Sequence, residues 1–207
     1  VGGFSSHVMY SFSEKTKYES GVQGALGDDS RGGRYWGGRF GYANGPLDVA
    51  VAYGEQTNSS SWSGAVPGFP ALTGQGPTDN VAKNFNVGAS YDFGVVKLFG
   101  QYARIKNKNE YNGEYSFTGF NASSKLDGYL VGVTAPVGAG LIRASYGHVK
   151  AKVDVDPLTF LADPFFQQSN PKADQLAVGY VHNLSKRTAL YATVAYIKNK
   201  NGAGYSP

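Results

Sequence analysis

Apolar and polar residues alternate with a period of two through nine segments of about ten residues each, the signature of strands with one greasy and one wet face. The division is cleanest over 84–93, where Phe85, Val87, Ala89, Tyr91 and Phe93 interleave with Asn84, Asn86, Gly88, Ser90 and Asp92. The same alternation predicts strands over 3–13, 34–43, 47–56, 95–104, 124–135, 141–150, 174–183 and 188–197. Leu130 blurs the sixth segment. The ninth is apolar on both sides, with Leu190, Val194 and Tyr196 against Tyr191, Ala195 and Ile197.

Connections between these segments alternate between long ones of roughly twenty residues and short ones of about five or fewer, as in an antiparallel meander with turns at one end and loops at the other. Turn chemistry marks the short ones: Asn44-Gly45-Pro46, Asp92-Phe93-Gly94, Gly138-Ala139-Gly140 and the run from Asn183 to Arg187. The long ones read as polar and irregular, among them Thr57 to Lys83 with its Ser59-Ser60-Ser61 run and Pro67, Pro70 and Pro77. This plan predicts an all-β, transmembrane, antiparallel up-and-down barrel, read as a single domain over 1–207.

Aromatic placement agrees with it. Phe12, Trp36, Tyr53, Phe85, Tyr102, Tyr146 and Tyr196 fall near the loop end, and Phe4, Tyr42, Tyr91, Phe93 and Tyr180 near the turn end. Two girdles with Val, Leu, Ile, Ala and Gly between them suit an apolar band about 25 Å tall. A soluble sandwich or lipocalin-like barrel is the competing reading, in which the greasy face is core. Against it, the opposite face carries Gly37, Gly41, Ala50, Ala52, Gly88, Gly128, Gly132 and Gly147, where a soluble protein would place Lys, Glu and Thr.

Composition narrows this further. The chain has 207 residues with 29 Gly, 15 Tyr, 12 Phe and no Cys, which excludes disulfides, thiolate metal sites and a Cys nucleophile. With 16% charged residues it is too apolar for disorder, and it lacks the long apolar runs of helical spans. The net charge is +4, yet no dense Lys/Arg run exists to track a nucleic-acid backbone. Lys106, Lys108, Lys198 and Lys200 sit just past the ends of apolar runs and read as solvated strand ends, with a polyphosphate site as the alternative.

The strings Tyr42-Ala43-Asn44-Gly45-Pro46-Leu47, Asp174-Gln175-Leu176-Ala177-Val178-Gly179-Tyr180 and Asn183-Leu184-Ser185-Lys186-Arg187-Thr188-Ala189-Leu190-Tyr191 resemble the β-proteobacterial general porins, the last of them most specifically. The resemblance covers nearly the whole chain. It implies a trimeric, sixteen-stranded barrel in the outer membrane of a Gram-negative bacterium, passing small hydrophilic solutes and ions by passive diffusion with mild anion preference. It also implies the lipid bilayer and lipopolysaccharide as surroundings, a homotrimer as assembly, and no cofactor. By this registration the nine segments resemble strands seven to fifteen, so the sequence is expected to be part of a longer polypeptide, incomplete at both ends.

A pore needs a polar lumen and charges that bias ions. The lining candidates are Arg39, Lys97 and Arg143, with Asp48 and Asp92 as acidic counterweights and Asn84, Asn86, Gln101 and Ser145 as neutral polar groups; salt bridging in the wall is the plainer role for each cation. An enzyme is not expected, since His7, His148 and His182 show no triad spacing; a Ser-His membrane hydrolase is the minor alternative. Asp28-Asp29 and Asp154-Val155-Asp156 lack the full ligand pattern of a Ca²⁺ loop. Trp62, Phe69, Phe160, Phe165 and Phe166 are loop aromatics, and a binding or adhesion barrel that works through such loops is the rival function.

Overall fold

The computed structural model describes residues 2–13, 32–66, 69–111, 122–155 and 170–206. They form nine strands: β1 (Phe4–Ser11), β2 (Arg34–Asn44), β3 (Leu47–Val66), β4 (Phe69–Asp92), β5 (Lys97–Tyr111), β6 (Ala122–Val137), β7 (Gly140–Val155), β8 (Lys172–Ser185) and β9 (Thr188–Lys200). Each pairs antiparallel with its neighbour in sequence, in one sheet of order β1 to β9. Every segment read from the alternation is a strand of this up-and-down sheet.

Tight hairpins close one end. Asn44 pairs with Leu47 across Gly45-Pro46, and Gly45 has φ 54°, a left-handed conformation that costs glycine nothing and strains other residues. At the next turn the Asp92 carboxylate accepts a hydrogen bond from the Gly94 amide at 2.8 Å. The last hairpin is shorter than the run from Asn183 to Arg187: Ser185 pairs with Thr188, and the Ser185 hydroxyl accepts from the Arg187 amide at 3.2 Å.

At the other end the strands run past their expected limits. The stretch from Thr57 to Lys83 is not an irregular loop: β3 and β4 stay paired from Thr57–Val81 through Ala65–Thr73. Backbone hydrogen bonds hold this extension, and since its buried described side chains, Thr57, Ser59 and Asp79, are polar, the sequence needs no apolar alternation to build it. Pro77 stands just past the last β4–β5 pair, Thr78–Tyr111, on a strand edge where a missing amide is tolerated. Lys106, Lys108 and Lys198 accordingly lie within β5 and β9, past the limits read from the alternation, and Lys200 is the last residue of β9. Phe12 and Phe93, by contrast, fall just outside β1 and β4.

A dry core does not exist among the described residues, where Ala173 alone is a buried apolar side chain. Val178 is 50% exposed, Val194 75% and Val8 82%. Burial of such surface is the main favourable term of folding in water, so leaving it open on a soluble protein would forfeit that term. The described residues place nothing against the greasy face that would make it an interior.

Candidate functional site

Register sorts the side chains into two faces. One direct row of partners crosses the sheet through His7, Arg39, Ala52, Asn86, Ala103, Gly128, Val149 and Ala173. Two hollows open on this side, one among Arg39, Ala52, Gly54, Asn84 and Asn86, the other among Gln101, Gly128, Gly147 and Gln175. It is the concave face. Nearer the turns, Asp92 pairs with Lys97, and a second row runs Lys97, Thr134, Arg143, Gly179. Asp48 stands opposite Ser90, Gln101 opposite Gly88, and Ser145 opposite Gly132. Arg39, Lys97, Arg143, Asp48, Asp92, Asn84, Asn86, Gln101 and Ser145 therefore share this face.

Small residues keep the concave face low. Tyr35 lies flat across two of them: a Cβ built on Gly54 would stand 2.5 Å from its hydroxyl oxygen, and one on Gly37 equally close. Only glycine leaves room for the ring there. Sequence reading missed Ile105 and Val149 as apolar members of this face, to which Leu130 and Ile197 also point by register. That assignment resolves the ninth strand: Ile197 is concave, whereas Val194 and Tyr196 pair with Val178 and Leu176 on the convex side. The segment after β9 folds against the concave side, with the Asn199 amide donating to the Tyr205 carbonyl at 2.8 Å.

The convex face carries the apolar set and its aromatics. Near the loop end, Trp36 and Tyr53 rings lie 5.3 Å apart, Phe85 and Tyr102 6.4 Å, and Tyr129 and Tyr146 6.2 Å. Near the turns, Phe4 meets Tyr42 at 4.7 Å and Tyr91 meets Phe93 at 4.5 Å, while Tyr180 points its hydroxyl to the His182 Nδ1 at 3.0 Å. Phe12 meets Tyr10 edge to face at 4.8 Å, and Tyr196 is 66% exposed. Tyr10 and Tyr129 extend the band read from sequence. Val51, Val87, Val131 and Val178 lie between the two aromatic rows.

Beyond the loop-end aromatics the convex face turns charged. Lys83 pairs with Glu55 at 3.2 Å, and Arg104 and Lys125 meet Asp127 at 2.5 and 3.5 Å. Tyr102 donates its hydroxyl to Asp127 at 2.7 Å, and Tyr146 to Asp174 at 2.8 Å, so each ring keeps an apolar body below and a polar tip above. Asp174 also holds His148 Nδ1 at 2.6 Å and Lys200 at 3.1 Å. His148 thus has a carboxylate partner that the sequence did not reveal, 26 positions away and found by register alone. His7 sits on the concave face and His182 beside the turn, so the three imidazoles are not brought together. Asp28, Asp29, Asp156, Phe160, Phe165 and Phe166 lie outside the described residues, as do the side chains of Trp62 and Phe69. Among the described residues no group of three metal-ligating side chains is assembled.

Comparison with known proteins gives a concordant result. The family described as Gram-negative porin matches residues 1–202. Outer membrane porin protein 32 of Delftia acidovorans is 33% identical over 203 residues, covering 98% of this chain and 44% of the relative. An outer membrane porin protein of Bordetella pertussis is 33% identical over 175 residues, 76% of this chain and 39% of its own length. The chain therefore spans less than half the length of these curated relatives. Among solved structures, the anion-selective porin from Comamonas acidovorans superposes with a TM-score of 0.63 at 32% identity, over 98% of this chain and 47% of that one. OmpT of Vibrio cholerae in its trimer form, at a TM-score of 0.56 and 15% identity over 92% of this chain and 65% of that one, shares the fold.

Proposed function

Because this chain belongs to the Gram-negative porin family, we propose that it builds part of the wall of an outer-membrane β-barrel through which small hydrophilic solutes and ions diffuse passively. One observation carries the reading: the sheet exposes most of its large apolar side chains on the convex face and sets mainly small and polar ones on the concave face. A bilayer is the solvent that rewards the first, and a water column the second. The aromatic rows at Phe12, Trp36, Tyr53, Phe85, Tyr102, Tyr146 and Tyr196, and at Tyr42, Tyr91, Phe93 and Tyr180, are then the interfacial girdles.

In this reading Arg39, Lys97 and Arg143, with Asp48, Asp92, Asn84, Asn86, Gln101 and Ser145, line the pore. Asp48, Asp92 and Lys97 cluster at the turn end, where β3, β4 and β5 begin or stop, whereas Arg39 lies deepest in its strand. The charge met inside the barrel is therefore basic, which supports mild anion preference by Coulomb attraction in a confined space. A homotrimer embedded among lipopolysaccharide is the assembly that family membership supports, and the chemistry asked of the side chains is guidance of ions, not catalysis.

Reconstitution tests this. The full-length protein in planar bilayers is expected to give stepwise conductance, with a reversal potential of anionic sign in a salt gradient. Arg39→Glu combined with Arg143→Glu is expected to move that potential toward cations. Absence of conductance overturns the channel; a cation-selective wild type overturns the arginine assignment.

A further inference from the structure

Two rows of lysines face one another across the strands on the convex face, just beyond the loop-end aromatics. Lys83 pairs directly with Lys106, Lys106 with Lys125, and Lys125 with Lys152, so four lysines occupy directly opposed positions on β4 to β7. Lys150, Lys172 and Lys200 form a second such row on β7 to β9. Like charges directly opposite in an antiparallel pair repel, and a sheet does not gain from such a row by itself.

The carboxylates nearby compensate it in part. Glu55 answers Lys83, Asp127 answers Lys125 and Asp154 answers Lys152, but Lys106, at the centre of the first row, has no carboxylate of the described residues at ion-pair distance, and neither have Lys150 and Lys172. At the turn end of the same face the strand residues are Tyr42, Leu47, Tyr91, Leu98, Val137 and Ile142, with no lysine or arginine among them. Apart from Lys186 and Arg187 in the last turn, the positive charge of this face among the described residues gathers at the loop-end rim, and the first row sits about 7 to 13 Å of strand beyond Phe85, Tyr102 and Tyr129. Aromatic girdles lie at head-group level, so the rows fall where head groups of the loop-side leaflet carry their charge.

We propose that the Lys83–Lys106–Lys125–Lys152 row binds the phosphate groups of an anionic lipid in that leaflet, its acyl chains lying on the valines and aromatics below. This deepens the outer-membrane reading and rests on it. A phosphate carries up to two negative charges and several acceptor oxygens, so one group can bridge two neighbouring ammoniums and turn their repulsion into attraction. Apolar contact and charge are then satisfied by the same molecule, which neither inorganic phosphate nor a zwitterionic lipid can do.

Native mass spectrometry of the full-length protein in non-ionic detergent, titrated separately with dioleoyl phosphatidic acid, dioleoyl phosphatidylcholine and inorganic phosphate, decides it. Phosphatidic acid is expected to bind at least tenfold more tightly than either alternative. The fourfold variant Lys83→Gln, Lys106→Gln, Lys125→Gln, Lys152→Gln is expected to lose at least tenfold of that affinity, and the matching fourfold arginine variant to keep it. Equal binding of both lipids, equal binding of inorganic phosphate, or undiminished binding by the glutamine variant each overturns the assignment. Conductance of wild type and both variants is recorded in parallel: unchanged channels without lipid selectivity defeat the lysine row alone, whereas a silent wild type defeats the channel itself.

Discussion

Val87 and Gly88 are adjacent on β4, yet an arginine placed at one should behave quite differently from an arginine placed at the other. Val87 is on the convex face, paired with Val51 and Tyr102, and lies midway along the strand between Tyr91 and Lys83, with roughly 13 Å of strand on either side. On a lipid-facing wall that is close to the bilayer midplane, where an arginine costs about 2 to 4 kcal/mol. The folding equilibrium should then fall by roughly 30- to 700-fold. Gly88 points the other way, opposite Ala50 and Gln101, and a Cβ there meets the Gly100 carbonyl oxygen at 3.6 Å and the Gln101 Cγ at 4.0 Å, ordinary contacts. If that side is wet, Gly88→Arg keeps its guanidinium in water and stays within about 1 kcal/mol of the parent, since strand glycine is itself unfavourable by a similar amount. The assay is equilibrium urea unfolding of the full-length protein in phosphatidylcholine vesicles, followed by tryptophan fluorescence. A Gly88→Arg midpoint lowered as far as that of Val87→Arg, or further, would refute the assignment of the two faces.

Asp127→Asn removes the charge shared by Arg104 and Lys125 while keeping the shape, and these side chains are 29 to 37% exposed. A loss of about 1 to 2 kcal/mol is expected at low salt, shrinking as salt is raised; a salt-independent loss in the same unfolding assay would sink the electrostatic account. Gly54→Val should drive the Tyr35 ring off the concave face at a cost of about 1 to 3 kcal/mol, an effect expected to vanish in a Tyr35→Ala background. Persistence of the full cost in the double variant would show that the ring is not what the valine meets.

Strand existence was legible wherever one face must be apolar and the other must not. The interleaving of Phe85, Val87, Ala89 and Tyr91 with Asn84, Asn86, Gly88 and Ser90 fixes both the strand and its facing, because a one-residue slip would invert every side chain. Beyond Thr57 on β3 that constraint lapses, and a backbone ladder built from Ser, Asn and Gly has no periodic signature to read. The same lapse hid the lysines: Lys106 looked like the end of a strand because the apolar alternation had ended, although the pairing had not. Partnerships such as His148 with Asp174 depend on inter-strand register, which long connections leave undetermined in one dimension. Tyr129 and Leu130 are the intermediate case. Their strand was blurred by two adjacent large residues, yet the alternation sets Tyr129 with Val131 and Leu130 with Gly128, and their partners His148 and Gly147 agree with that division.

The sequential order of the sheet has a consequence for how such a wall can change size. Every strand bonds to the strands just before and just after it in the chain, so a hairpin is a complete modular tile whose insertion or loss between two others leaves all remaining bonds in place. Circumference is then additive in hairpins, since barrel diameter grows nearly in proportion to strand number. Widening requires no redesign of an interior, because no layer of interlocked side chains has to be refilled when a tile is added.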